Sequence, residues 1–263
     1  MDNSIETGVK TDIKTDIKIE NLTFRYGSRD KGQTAPVLGE ISFFLKEGES
    51  VGIIGANGAG KSTLLKILVG LLPGYEGTVQ VGGLDVVKDN LADIRRMAGY
   101  VFQDSDSQLF MNTVYEDVAF APRNYGMDEA EVRERTMKAL RQTGIEDLKD
   151  RHIYRLSGGQ KKLAAIASVL SMGAAVLLMD EPSAALDPGN RRRLIQVLNG
   201  LPGSRLIASH DLDFVYDTCE RTILLSEGEV VRDGRTKEVL RDEELLRANG
   251  LELPLSFRFM KGV

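Results

Sequence analysis

Short apolar runs alternate with amphipathic stretches along most of the 263-residue chain. Ile17, Ile19, Leu22 and Phe24 predict an early strand, and residues 37 to about 100 read as further strands around one helix. In that stretch Ser50-Val51-Gly52-Ile53-Ile54 predicts a buried strand. Leu64-Leu65-Lys66-Ile67-Leu68-Val69 predicts a helix that is apolar nearly all round and therefore covered. Residues 104–155 turn helical. There Asp128-x-x-Glu131 has the spacing of a capping box, followed by inward positions at Val132, Thr136, Ala139 and Leu140 and a stop at Gly144. The six apolar residues 174–179 suit a central parallel strand buried on both faces. Residues 205–209 and 222–225 supply two more strands, and 243–248 a short helix capped by Asp242 and stopped by Gly250. Strands alternating with helices predict an α/β layered sheet.

Composition narrows the class without naming a function. The length suits one large domain with a subdomain, and 42% apolar with 28% charged residues is an ordinary globular balance. A net charge of −5 gives no argument for nucleic acid or an anionic membrane surface as a partner. Cys219, the single cysteine, excludes an internal disulfide and fits a reducing compartment. The polar start of the chain has no apolar signal-peptide core, and no apolar run approaches the roughly 18–20 residues that cross a bilayer. Work at a membrane is therefore expected to pass through a partner. Residues 1–16 read as a disordered polar tail, with Thr-Asp-Ile-Lys at 11–14 and again at 15–18, and residues 27–36 as a turn-rich loop.

The candidate chemistry begins between the buried strand and its helix. Residues 55–63, Gly-Ala-Asn-Gly-Ala-Gly-Lys-Ser-Thr, match the phosphate-binding pattern G-x-x-x-x-G-K-[S/T] in full and in the strand–loop–helix context it needs. Gly55, Gly58 and Gly60 let backbone N–H groups converge on phosphate oxygens with no Cβ in the way, and Asn57 and Ala59 complete the loop. The helix N-terminus adds partial positive charge and unsatisfied donors. Lys61 can reach the β- and γ-phosphates, the Ser62 hydroxyl can ligate Mg²⁺, and Thr63 closes the motif. This names a nucleotide, not a function.

Two more motifs follow. The strand at 174–179 runs into Asp180-Glu181-Pro182, and the C-terminal end of a central strand is where an open α/β sheet places ligand-binding groups. Asp180 fits a Mg²⁺ ligand, and Glu181 is placed to orient or deprotonate an attacking water. Leu156-Ser157-Gly158-Gly159-Gln160 then leads into a helix expected over 161–171, which makes a second anion site at a helix start. One nucleotide on one chain does not need two such sites.

With these motifs in this order, from about 17 to 240, the chain resembles an ABC-type ATPase, whose signature is Leu-Ser-Gly-Gly-Gln. The resemblance implies a P-loop NTPase fold: a RecA-like core with a mixed β-sheet, an antiparallel β-subdomain and a helical subdomain over about 104–170. Together these make an ATP-binding domain over 17–240, with a C-terminal extension over 241–263. It implies ATP and Mg²⁺, the metal held by Ser62, Gln103 and Asp180. In that family two subunits sandwich two ATP molecules. Ser157, with Gly158, Gly159 and Gln160, would thus serve the ATP on the other subunit's P-loop, and Asp187 of the D-loop would reach across. By the same resemblance Tyr26 stacks on adenine, Gln103 moves with the helical subdomain, and His210 senses the γ-phosphate, making Glu181, His210 and Gln103 the catalytic group. His152 matches nothing. Ala56, Leu163 and Ala185 depart from the usual pattern without removing a phosphate or metal ligand, so an intact ATPase is implied.

The stretch 104–126 after Gln103 and the closing residues 242–254 are similar to ATPase subunits of energy-coupling factor importers, including cobalt and nickel uptake systems. That similarity implies an integral membrane coupling protein and a membrane substrate-binding subunit as partners, and a peripheral place on the cytoplasmic face of the cell membrane. A homodimer suffices because all motifs lie on one chain; a paralogous second ATPase is the alternative. Leu109, Phe110 and Val114 are expected to be exposed and to form a groove for a partner's helix, and Val118 and Phe120 to pack inside. Members acting on DNA carry a long coiled-coil insertion for which the stretch from Lys61 to Leu156 has no room. Ribosome-acting members usually carry two ATPase domains, and one is visible here.

Overall fold

The computed structural model describes residues 16–27 and 35–258, so the expected tail, except its last residue, and most of the loop at 27–36 lie outside the described residues. In chain order the first half contains β1 (Ile17–Phe24), β2 (Leu38–Leu45), β3 (Ser50–Ile54), α1 (Lys61–Leu68), β4 (Glu76–Val81), β5 (Leu84–Asp85), α2 (Leu91–Met97), β6 (Ala98–Val101), α3 (Val114–Asn124) and α4 (Glu129–Gln142). The second half contains α5 (Gly158–Ser171), β7 (Val176–Asp180), α6 (Pro188–Gly200), β8 (Ser204–Ala208), α7 (Leu212–Thr218), β9 (Arg221–Ser226) and β10 (Glu229–Arg235). Three short helices follow: α8 (Thr236–Val239), α9 (Glu243–Ala248) and α10 (Leu255–Arg258).

The strands form an antiparallel sheet in the order β2-β1-β4-β5 and a mixed sheet in the order β10-β9-β3-β8-β7-β6. From β9 to β6 all neighbours run parallel, and only β10 turns back antiparallel on β9. Parallel strands must be covered on both faces, and successive side chains of a strand leave on opposite faces. In β7, Val176 and Leu178 join the core shared with α1 and the antiparallel sheet, while Leu177 and Met179 join the core under α3 to α7. β8 divides the same way, with Leu206 and Ala208 on one side and Ile207 on the other.

Helices α3, α4 and α5 pack on one another beside the sheet edge at β6. A reciprocal capping box of Thr113 and Glu116 starts α3. At α4 the expected box is only half made. Asp128 accepts from the Glu131 N–H at 2.9 Å, but the Glu131 carboxylate turns to Arg135, one helical turn on, at 2.9 Å. Val132, Thr136, Ala139 and Leu140 are all buried, and Gly144 leaves the helix with φ of 67°. Helix α5 begins at Gly158 rather than Lys161, because Ser157 and Gln160 close a capping box around its first turn.

The expected groove residues also sort differently. Leu109 and Val114 belong to the core, whereas Phe110 and Phe120 stay 65% and 38% exposed and meet edge to face at 4.8 Å. Val114 and Val118 are four residues apart and share the inward face of α3, while Phe120 lies on a different face.

Pro122 inside α3 has no N–H to give to the Val118 carbonyl four residues back. The Ser171 hydroxyl of α5 supplies the missing donor, at 2.7 Å in a buried position. One backbone defect thus becomes a link between two helices. Ser171→Ala leaves that carbonyl without a partner and should lower the unfolding free energy by about 1–3 kcal/mol. Denaturant unfolding checks this; an unchanged midpoint would show that water replaces the hydroxyl.

Candidate active site

The P-loop closes tightly against its neighbours. A Cβ at Gly55 would lie 2.2 Å from the Leu225 carbonyl oxygen, and Gly60 sits at φ 98° with a Cβ position 2.5 Å from Leu38. Gly60 stands at the N-cap of α1 and offers no side-chain cap, so the first N–H groups of the helix are left for a ligand. Lys61 is buried, and its Nζ donates to the carbonyls of Gly55 at 2.7 Å and Ala56 at 3.1 Å. Burial lowers its pKa, opposed by the carboxylates of Glu181 and Asp180.

Asp180, at the end of β7, is held from two sides. The Ser62 hydroxyl donates to Oδ1 at 2.8 Å and the Tyr100 phenol donates to Oδ2 at 3.0 Å. Tyr100 is a site residue that the sequence motifs do not reveal. Its only signal is position, since β6 lies beside β7 with Tyr100 opposite Leu178. Burial, with Asp180 beside it, raises the phenol pKa, so it remains a donor.

Glu181 adopts φ of 44°, a left-handed conformation that costs a non-glycine residue about 1 kcal/mol or more. The turn aims its carboxylate at the loop after β8. There it accepts from the Ser209 hydroxyl at 3.1 Å and from the His210 N–H at 3.1 Å, and His210 Nδ1 lies 2.8 Å from Oε2. Tyr26 rests edge-on against Phe24 at 5.0 Å and its hydroxyl is 3.0 Å from Thr63 Oγ1. Tyr26, Asn57, Gly58, Ala59, Gly60, Lys61, Ser62, Thr63, Gln103, Glu181 and His210 line one cleft of about 420 Å³. A larger cleft of about 940 Å³ lies at the opposite ends of the strands, where Ser50 and Arg221 begin β3 and β9, and holds none of these residues.

The signature residues are not part of that cleft. Ser157 Oγ accepts from the Gln160 N–H at 3.3 Å, and Gln160 Oε1 accepts from the Ser157 N–H at 3.0 Å. Gly158 faces open space, while a Cβ at Gly159 would collide with Asn190 of α6 at 2.3 Å. Asp187 caps α6. Its carboxylate accepts from the N–H groups of Gly189 and Asn190, both at 2.9 Å, and these bonds hold its pKa below the usual carboxylate range. Ala185 stands at φ 60° in the turn before it, a left-handed conformation that strains a residue carrying a Cβ. Arg191 of α6 grips Asp211 with two bonds of 2.8 and 3.1 Å, bracing the D-loop against the loop of His210.

A family model described as "ABC transporter" matches residues 38–184, more than half of the chain. The chain belongs to the ABC transporter family. A protein of Geobacter sulfurreducens described as an ABC transporter ATP-binding protein is 49% identical over 218 residues, covering 83% of this chain and 88% of the relative. The energy-coupling factor transporter ATP-binding protein EcfA of Carboxydothermus hydrogenoformans is 40% identical over 240 residues, covering 90% of this chain and 87% of its own. Among solved structures, cbiO1 from Clostridium perfringens, part of the ABC transporter complex cbiONQ, superposes with a TM-score of 0.80. It shares 37% identity and covers 94% of this chain and 99% of its own. As an ABC ATPase the chain binds and hydrolyses ATP and serves as an ATP-binding subunit of a transporter.

Tyr100→Phe removes one of the two donors that orient Asp180. A hydrogen bond to a charged group is worth about 1.5–3 kcal/mol, so ATP turnover should fall roughly ten- to a hundredfold with the fold retained. Steady-state kinetics with circular dichroism checks this; a wild-type rate would show that Ser62 alone positions the carboxylate.

Proposed function

We propose that this chain is the ATPase engine of an energy-coupling factor-type importer, that it works as a pair of ATPase subunits, and that it hydrolyses ATP with Mg²⁺. One observation carries the reading. The P-loop, Gln103, Glu181 and His210 line a single cleft, while Ser157 to Gln160 lie outside it. A helix start that presents glycine N–H groups away from its own nucleotide site is suited to the γ-phosphate of a second subunit. With all motifs on one chain a homodimer is the simplest pair.

The residues fit the metal and the nucleotide. Ser62, Asp180 and Gln103 offer oxygen ligands, the donor type a hard cation requires, and the uncapped start of α1 leaves backbone N–H groups for a phosphate. Bound Mg²⁺ would neutralise phosphate charge. Lys61, now held on the Gly55 and Ala56 carbonyls, is the side chain free to turn toward the β- and γ-phosphates. Tyr26 provides a face for adenine. Glu181 orients or deprotonates the attacking water, and His210, paired with it, reports whether the γ-phosphate is present. Ser157 and Asp187 act across the pair. Closure on ATP and reopening after hydrolysis make a bistable element biased by ligand.

The output surface is the groove of about 310 Å³ between β6 and α3, rimmed by Leu71, Phe102, Phe110, Phe120 and Tyr125. An apolar, aromatic groove beside Gln103 suits a helix of a membrane coupling protein. No helix among the described residues is long and apolar enough to cross a membrane. A peripheral place on the cytoplasmic face of the cell membrane, with a coupling protein and a substrate-binding membrane subunit, follows from this reading. We assign divalent cobalt or nickel as cargo from the similarity of the signature helix and the C-terminal tail to metal-uptake members. A vitamin importer would use the same engine.

Glu181→Gln should bind ATP and accumulate as a dimer in light scattering while turnover falls by about a hundredfold or more. Hydrolysis at the wild-type rate would remove Glu181 from the catalytic role. Uptake of labelled Co²⁺, Ni²⁺ and vitamins by the chain purified with its membrane partners tests the cargo. Vitamin uptake alone would overturn the metal assignment.

A further inference from the structure

Lys162 lies on α5 two residues after Gln160 and is 3% exposed. It reaches off the signature helix to the backbone that leaves β6. Its Nζ donates to the Phe102 carbonyl at 2.9 Å and to the Gln103 carbonyl at 2.7 Å. The N–H of Phe102 is taken by Gln108 Oε1 at 3.0 Å. The Gln108 amide in turn donates back to α5, to the Ala165 carbonyl at 2.9 Å and Ser168 Oγ at 3.2 Å. Lys161 adds an ion pair to Asp106 further along the loop. Residues 102–103 have left the sheet, so their carbonyls have no strand partner. An ammonium group carries three donors and can bond two successive carbonyls at once.

A buried methionine would fill the same space without placing a charge in the interior. The charge therefore has to be explained by what it holds. It holds the backbone of Gln103, a residue lining the P-loop cleft, to the helix whose first turn carries Ser157, Gly158 and Gly159.

We propose that Lys162 is a positioning residue for ATP hydrolysis, locking the Q-loop backbone to the signature helix so that Gln103 and Ser157 move as one unit. The proposal rests on the reading that Gln103 contacts the nucleotide and Mg²⁺. It does not make Lys162 touch ATP; Lys162 acts through Gln103. When the helical layer shifts relative to the sheet, the Q-loop has to follow.

The test is a kinetic cycle on the full chain with Lys162→Met, Gln103→Ala and the double variant, with ATP affinity measured beside turnover. Lys162→Met should lower kcat about ten- to a hundredfold with KM for ATP within about threefold. Lys162→Arg, which keeps charge and donors, should recover kcat to within about fivefold of wild type. The double variant should be no slower than the slower single variant, because both substitutions break one pathway. Wild-type kcat in Lys162→Met beside a slowed Gln103→Ala would overturn the Lys162 proposal alone. Losses that multiply in the double variant would overturn it too. So would loss of ATP binding in Lys162→Met with no recovery in Lys162→Arg, the mark of a purely structural residue. A Gln103→Ala variant with wild-type kcat would instead overturn the reading of Gln103, and the Lys162 proposal with it.

Discussion

The hydrogen bond from Ser62 to Asp180, 2.8 Å long, joins the first turn of α1 to the end of β7 and is the contact on which the site depends. It forms because the sheet is parallel from β9 to β6, so every strand in that run ends on the same edge. The P-loop leaves β3, Asp180 ends β7 with Glu181 just beyond it, His210 follows β8, and Gln103 follows β6. Four segments far apart in sequence therefore converge without any long connection crossing the site. The apolar alternation of β7 and β8 into two separate cores fixes that register, because a slip of one residue would exchange the faces. Strand burial is thus the physical cause of the active-site geometry.

What was legible in the sequence is what local rules determine. The apolar run ending at Met179 and the Asp242 cap each carry their own reason: the run becomes β7, which starts two residues later at Val176 and extends to Asp180, and Asp242 caps α9. What escaped depends on a partner distant in the chain. Tyr100 gives no sign of facing Asp180 until β6 and β7 are placed side by side. Leu109 and Phe110 are adjacent apolar residues, and only tertiary packing decides that Leu109 joins the core while Phe110 stays exposed. The start of α5 was displaced by three residues because Ser157 and Gln160 cap each other, a pairing hidden inside a motif read for its anion chemistry. Glu131 matches the capping spacing, yet Arg135 one turn away takes its carboxylate.

The helical layer is joined to the sheet edge by polar contacts set within apolar packing. Ser171 repairs the proline defect of α3. Gln108 and Lys162 tie the exit of β6 to α5. Arg191 and Asp211 join the D-loop helix to the loop of His210. The Ser171 bond is buried and the others are partly buried, so breaking one leaves a group that pays part or all of its desolvation penalty.

In the reading proposed above, each P-loop is completed by the signature of another subunit. Mixing two inactive variants tests it most directly. Lys61→Ala disables the P-loop and Ser157→Arg the signature, so a mixed pair contains one site with both halves intact. Each variant alone should be inactive, and ATP turnover should return on mixing, rising with the fraction of mixed pairs. A mixture as inactive as its components would contradict it.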